Sequence, residues 1–137
     1  MGRILGIDYG KVRTGLALSD PMHIIASPYK TISFSGMSDA VDQILSETEA
    51  NEVERIVVGL PLSMSGKNSL QTIEVMKFIE ELKSKTSIPV VEIDERLTSV
   101  EAKRMLHEMG IKTGHNKSQV DKTAAAIILK TYLDSKR

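Results

Sequence analysis

Residues 3–20 read Arg3-Ile4-Leu5-Gly6-Ile7-Asp8-Tyr9-Gly10-Lys11-Val12-Arg13-Thr14-Gly15-Leu16-Ala17-Leu18-Ser19-Asp20. The first six form a short apolar run that closes on a turn signal, Tyr9-Gly10, which reads as a buried strand. Residues 12–19 read as a second strand, paired to the first through the turn at Asp8–Lys11, and Pro21 marks its end. A third strand fits residues 24–34, where Pro28 either breaks it or places it on an edge. Three sequential strands with short connections make an antiparallel meander.

The chain then changes period. Met37, Val41, Ile44 and Leu45 fall on one helical face. Arg55-Ile56-Val57-Val58-Gly59 is a β-branched run closed by Leu60-Pro61, again a buried strand. A polar loop occupies 62–69, and a helix over about 69–85 presents Val75, Phe78, Ile79 and Leu82. Residues 88–93 form a fifth strand. Thr98-Ser99-Val100-Glu101 has the form of a capping box opening a helix that Gly110 stops after Met109. Residues 111–117 form a basic loop, and Ser118 caps a last helix running to about 134. The order βββαβαβαα predicts a single α/β domain over residues 1–137. Its sheet is a mixed five-stranded one, in which two parallel strands, each reached through a helix, extend the meander between flanking helices.

Composition narrows the function classes. The chain has 137 residues, 41% of them hydrophobic and 26% charged, which suits one folded domain. It has no cysteine, which excludes disulfide scaffolds, thiolate metal sites and cysteine nucleophiles. No apolar run reaches the roughly 18–20 residues of a membrane span. Asp8 interrupts the N-terminal apolar stretch, so a signal peptide is not expected and the cytoplasm is the default location. Eighteen basic and eighteen acidic residues balance, yet unevenly along the chain. Residues 1–35 carry a net +2, 36–66 a net −5, 67–100 a net −1 and 101–137 a net +4. A polyanion would be drawn to the two ends of the chain and repelled by the second segment.

Three carboxylates are candidates for chemistry. Asp8 lies at the carboxyl end of an apolar strand, where ligands of open α/β sheets sit; alternatively it caps the turn at Gly10. Glu95 follows the fifth strand, and its plain role would be a surface pair with Arg96. Asp121 lies in the first turn of the last helix, where Ser118-x-x-Asp121 also fits a cap. It shares a face with Ala125, Ile128 and Tyr132, and Ala124-Ala125-Ala126 lets that helix approach the sheet closely. If the three meet at one edge, their mutual repulsion calls for a cation. Oxygen donors without thiols favour a hard ion, Mg²⁺ or Mn²⁺, and one or two such ions suit phosphodiester hydrolysis. Lys11 and Arg13 accompany Asp8, Arg96 accompanies Glu95, and Lys117 precedes Asp121 by one helical turn; each can touch phosphate or merely balance charge. His23, His107 and His115 show no metal-ligand spacing, and residues 62–69 lack a nucleotide-triphosphate loop pattern.

These segments together resemble the YqgF/RuvX family, Holliday-junction-resolvase-like proteins also described as pre-16S ribosomal RNA nucleases. Gly6-x-Asp8-x-Gly10-x-x-Arg13-x-Gly15-x-Ala17-x-Ser19-Asp20 is similar to the family's opening motif. Gly59-Leu60-Pro61-Leu62, Asp94-Glu95-Arg96-Leu97-Thr98-Ser99 and Lys117-x-x-x-Asp121-x-x-Ala124-Ala125 resemble its later elements, in order over nearly the whole chain. The loop departs from the pattern at Ser63-Met64-Ser65, which leaves the role of residues 62–69 open. The resemblance implies an RNase H-like fold with Asp8, Glu95 and Asp121 as the metal-binding, catalytic carboxylates.

The reading is therefore a metal-dependent endonuclease using one or two Mg²⁺ or Mn²⁺ ions. Arg13, Lys117 and Arg96 would hold substrate phosphates. Its partner would be structured RNA, such as the 5′ end of pre-16S rRNA, or branched DNA such as a Holliday junction, and not a membrane. Monomer and homodimer are both compatible with the sequence. Two alternatives stand beside it. One is a non-catalytic nucleic-acid-binding or ribosome- or transcription-associated factor with a vestigial acidic site. The other is a phosphotransferase, because Asp8-x-Gly10 also resembles the phosphate turn of the actin–hexokinase superfamily, whose fold needs two such halves.

Overall fold

The computed structural model describes residues 2–62, 69–98, 100–113 and 117–136, excepting the side chains of 101, 103 and 109–113. Strands β1 (Arg3–Tyr9), β2 (Arg13–Ser19) and β3 (Ala26–Ser33) form the meander. Helix α1 (Met37–Ala50) leads to β4 (Val53–Leu60), and α2 (Leu70–Lys85) leads to β5 (Val90–Asp94). A single 3₁₀ turn (Glu95–Leu97) precedes α3 (Val100–Thr113) and α4 (Lys117–Ser135). The five strands lie in the order β3-β2-β1-β4-β5. β1 pairs antiparallel with β2 and parallel with β4, so it is the central strand. The expected mixed sheet, with its three-strand meander and two parallel additions, is the observed one.

Two helix boundaries differ from expectation. α3 runs through Gly110 to Thr113, so that glycine does not stop it. α4 begins at Lys117, which puts Ser118 inside its first turn rather than at the cap. A glycine costs a helix only about 1 kcal/mol relative to alanine, too little to end one whose neighbours favour continuation. The rest of the expected basic loop, residues 114–116 including His115, lies outside the described residues, as do 63–68 of the polar loop. The Glu101 half of the capping box rests on a side chain that is likewise not described.

Strand alternation divides the core. Leu5, Ile7 and Tyr9 of β1 join Ile56 and Val58 of β4 against α1 and α2. Ile4 of β1, Ala17 of β2 and Val57 of β4 face α4, which contributes Ala125, Ile128, Leu129 and Tyr132. Residues 4, 6 and 8 of β1 therefore point one way, toward α4. On the other face Tyr9 stacks on Phe78, ring centres 4.2 Å apart, and on Phe34 at 5.8 Å. This stack fixes the end of β1 directly behind Asp8. Phe78 is fully buried, so Phe78→Ala is expected to cost about 3–5 kcal/mol. A urea-melting midpoint unchanged from the native protein would contradict this account of the core.

Candidate active site

The positions beside Asp8 on both neighbouring strands are glycines, which offer no side chain. Across the antiparallel ladder its partner is Gly15. On the parallel side Val58 pairs with Ile7, and Gly59 is the next residue along. A Cβ on Gly59 would come within 2.6 Å of Ile128 Cδ1 and 3.2 Å of Glu95 Cγ. A Cβ on Gly15 would collide with the backbone carbonyl of Asp121 and stand 2.9 Å from the Lys122 nitrogen. The two glycines thus let Glu95 and the start of α4 close over Asp8 from either side. The alanines of α4 act to the same end, with Ala125 fully buried against the sheet.

Of the three carboxylates expected from the sequence, Glu95 and Asp121 each come within electrostatic range of Asp8. Burial pushes the Asp8 carboxyl up to about 7, and the charges of Glu95 and then Asp121 push in the same direction. Desolvation and like charge both penalise the ionised form. Among the described residues, however, no three Asp, Glu or His side chains already stand close enough to enclose one ion. Asp121 is otherwise engaged: its Oδ2 accepts from Arg13 Nε at 2.7 Å, and the pair is half-buried. The donor set suits a hard divalent cation, because it is all oxygen, collectively anionic and under charge stress. The close approach of α4 and Glu95 to Asp8 exists because Gly15 and Gly59 carry no Cβ.

The basic residues fall differently from their positions in the sequence. Arg13 follows Asp8 closely in the chain but pairs with Asp121, 108 residues away. Arg96 donates to both oxygens of Asp94, through Nε at 3.1 and 2.9 Å and through Nη2 at 2.7 Å. Asp94 also accepts from the Arg96 backbone nitrogen at the head of the 3₁₀ turn. Asp94 thereby shapes the corner that carries Glu95. Lys117 and Lys11 are exposed at the same end of the sheet. The start of α4 is tied down by Thr31 Oγ1, which donates to the Ser118 carbonyl at 2.6 Å. Asp121 therefore reaches the site on a helix fastened to β3. The framing by Gly15 and Gly59 was not foreseen. Its signal was present as a glycine inside each strand pattern, the usual mark of close approach by another backbone.

Strand order, sheet faces and a helix laid across the central carboxylate define an RNase H-like α/β fold of the resolvase type. Thermus thermophilus RuvC in complex with a Holliday junction substrate superposes with a TM-score of 0.63 at 13% identity, covering 99% of this chain and 96% of that one. The fowlpox virus resolvase with its junction DNA gives 0.57 at 9% identity, covering 98% of each chain. The model of the family described as RuvX: Holliday junction resolvase matches residues 2–135, and the chain belongs to that family. A Roseiflexus protein named "Putative pre-16S rRNA nuclease" is 42% identical over 136 residues, 99% of this chain and 96% of the relative. A Chloroflexus aurantiacus protein of the same name is 44% identical over 134 residues, 98% and 88% respectively. Among the described residues no helix is long and apolar enough to cross a membrane.

Proposed function

We propose that this chain is a divalent-metal-dependent endonuclease that hydrolyses phosphodiester bonds in structured nucleic acid. The observation that carries the reading is the placement of Asp8, at the end of the central strand, under the combined charge of Glu95 and Asp121. The family relatives named as pre-16S rRNA nucleases favour a ribosomal RNA precursor as substrate. The resolvase fold keeps branched DNA as the competing one.

Asp8, Glu95 and Asp121 would hold Mg²⁺ or Mn²⁺. Such an ion supplies an activated water and charge stabilisation of the leaving oxygen. The chain's own contribution is positional. Gly15 and Gly59 let the backbone of α4 and the Glu95 side chain pack close beside Asp8. Arg13 cancels the Asp121 charge while the site is free of substrate. On release it presents a planar guanidinium to a phosphate, the geometry for bidentate binding. Lys117 and the exposed face of Arg96 add phosphate contacts, which hold register without reading sequence. Arg13→Gln is expected to lower cleavage about 10²-fold while raising affinity for Mn²⁺, because a competing cation has been removed. Calorimetric Mn²⁺ titration beside a cleavage assay checks both signs; weaker Mn²⁺ binding would contradict this role.

The Arg13–Asp121 pair also favours the second reading, a nucleic-acid-binding factor whose acidic site neutralises itself. The two are separated by a cleavage panel of four-way DNA junction, single-stranded RNA and precursor rRNA, each with Mg²⁺, Mn²⁺ or EDTA. The nuclease reading expects metal-dependent cutting that EDTA stops. Tight binding insensitive to EDTA, with no cutting of any substrate, would establish the binding factor.

A further inference from the structure

The end of the sheet opposite Asp8 holds a second group of cations. A cavity of about 240 Å³ is lined there by Ile4, His23, Arg55, Tyr132, Leu133 and Lys136. Its floor is apolar, since Ile4, Tyr132 and Leu133 are all buried. Its rim is cationic, and Tyr132 organises it. Arg55 Nη1 donates to Tyr132 Oη at 2.9 Å, and Lys136 Nζ lies 5.4 Å from the centre of the same ring. Among the described residues neither cation has a carboxylate within ion-pair distance. The nearby acids are committed elsewhere, Glu54 to His23 at 2.9 Å and Asp134 to Lys130 at 2.9 Å. A guanidinium has five donors, and Arg55 places one of them on a neutral hydroxyl.

His23 closes the third side. Its φ of 59° lies in the left-handed region, where a side chain costs about 1–2 kcal/mol. Asp20 enforces that conformation, its carboxylate accepting from the backbone nitrogens of Met22, Ile24 and Ile25. The ring is then fixed by Nε2, which stands 2.8 Å from the Gly2 carbonyl oxygen. A carbonyl and a carboxylate only accept, so Nε2 carries the proton.

We propose that this cavity binds a phosphate group, held by Arg55 and Lys136, and that its source is the backbone of the nucleic-acid strand cut at Asp8. Only the source rests on the nuclease reading. Asp121 and Tyr132 lie 11 residues apart on α4, about 16 Å at 1.5 Å per residue. That span is about five base steps of 3.4 Å along a duplex. The held phosphate is thus several nucleotides from the scissile one, and the cavity measures length rather than sequence.

The test has two arms. In the first, Asp8→Asn protein, which cannot consume the probe, is titrated with fluorescent RNA reaching either two or ten nucleotides beyond the cut position. Adding Arg55→Ala and Lys136→Ala is expected to weaken binding of the longer RNA about tenfold. It should also lower the salt slope by about 1.4, two contacts on single-stranded nucleic acid, and leave the shorter RNA unaffected. Both side chains are exposed, so the variant should keep its fold, and an unchanged circular dichroism melt verifies this. In the second arm, pyrophosphate is added to the native protein and the Arg55, Tyr132 and Lys136 signals are followed by NMR. Saturation below about 1 mM supports the site independently of any nuclease activity. Saturation by pyrophosphate with unchanged RNA affinity would overturn the strand as the source and assign a small phosphate ligand. An unsaturable pyrophosphate response together with unchanged RNA binding would overturn the site.

Discussion

Asp8→Asn is expected to abolish cleavage, by about 10³-fold or more, and at the same time to make the metal-free protein more stable. Both follow from one placement. The carboxyl of Asp8 is pushed up to about 7 by burial and by the charges of Glu95 and Asp121. In the unfolded chain the same group ionises near 3.8. As pH rises from that value, the unfolded state loses the proton first, so the native state of the unsubstituted chain becomes progressively less favoured up to about pH 7. Above it the penalty is constant, at most about 4 kcal/mol. Asparagine removes the penalty because it carries no charge. The variant's advantage should therefore be small near pH 4 and grow to about 2–4 kcal/mol at pH 8, roughly 6–15 °C in Tm. Thermal melts in EDTA across that range measure it. Saturating Mn²⁺ should reverse the order at pH 8, because an ion that binds the native state stabilises only the protein that holds it. A variant that melts lower than the native protein in EDTA at pH 8 would mean that Asp8 is satisfied without a cation.

Gly15→Val should be the most damaging substitution in the sheet, at more than about 4 kcal/mol. The first atom of any side chain there meets the Asp121 carbonyl, which belongs to the backbone of α4 and has no rotamer to change. The helix must lift from β2, exposing Ala125 and Leu129, both fully buried in the native packing. Gly15→Ala should already be severe, and whatever folds should lose the Arg13–Asp121 pair. A Gly15→Ala protein melting within about 2 °C of the native one would show that α4 does not depend on this contact. The result would also remove the reason α4 lies close enough for the Asp121 charge to act on Asp8.

How far these features were legible depended on whether their cause was local. β1 and β2 could be read because the apolar run, the turn and the alternation all lie within residues 3–19. Burial of α4 could be read from Ala124-Ala125-Ala126 and the face it shares with Asp121. That Asp8 and Glu95 lie at one edge of the sheet could be anticipated from strand order, since parallel strands bring their carboxyl ends to one edge. The partners of the arginines could not. Arg13 was grouped with Asp8 because they are close in the chain, yet the hairpin carries it across to α4. Glu95 was weighed as a partner for Arg96, but the 3₁₀ turn brings the guanidinium onto Asp94 instead. Such contacts are set by crossing elements, and nothing in local spacing encodes them. The helix boundaries at Gly110 and Ser118 misled for a related reason: tertiary packing outweighs a residue's weak preference to stop or start a turn.

Anomalous scattering from crystals grown in Mn²⁺ tests the central claim most directly. One or two manganese peaks bounded by Asp8, Glu95 and Asp121, with the Arg13 guanidinium withdrawn from Asp121, is the predicted result. Crystals soaked to saturation that show no peak at Asp8, or manganese held only by other residues, would contradict it.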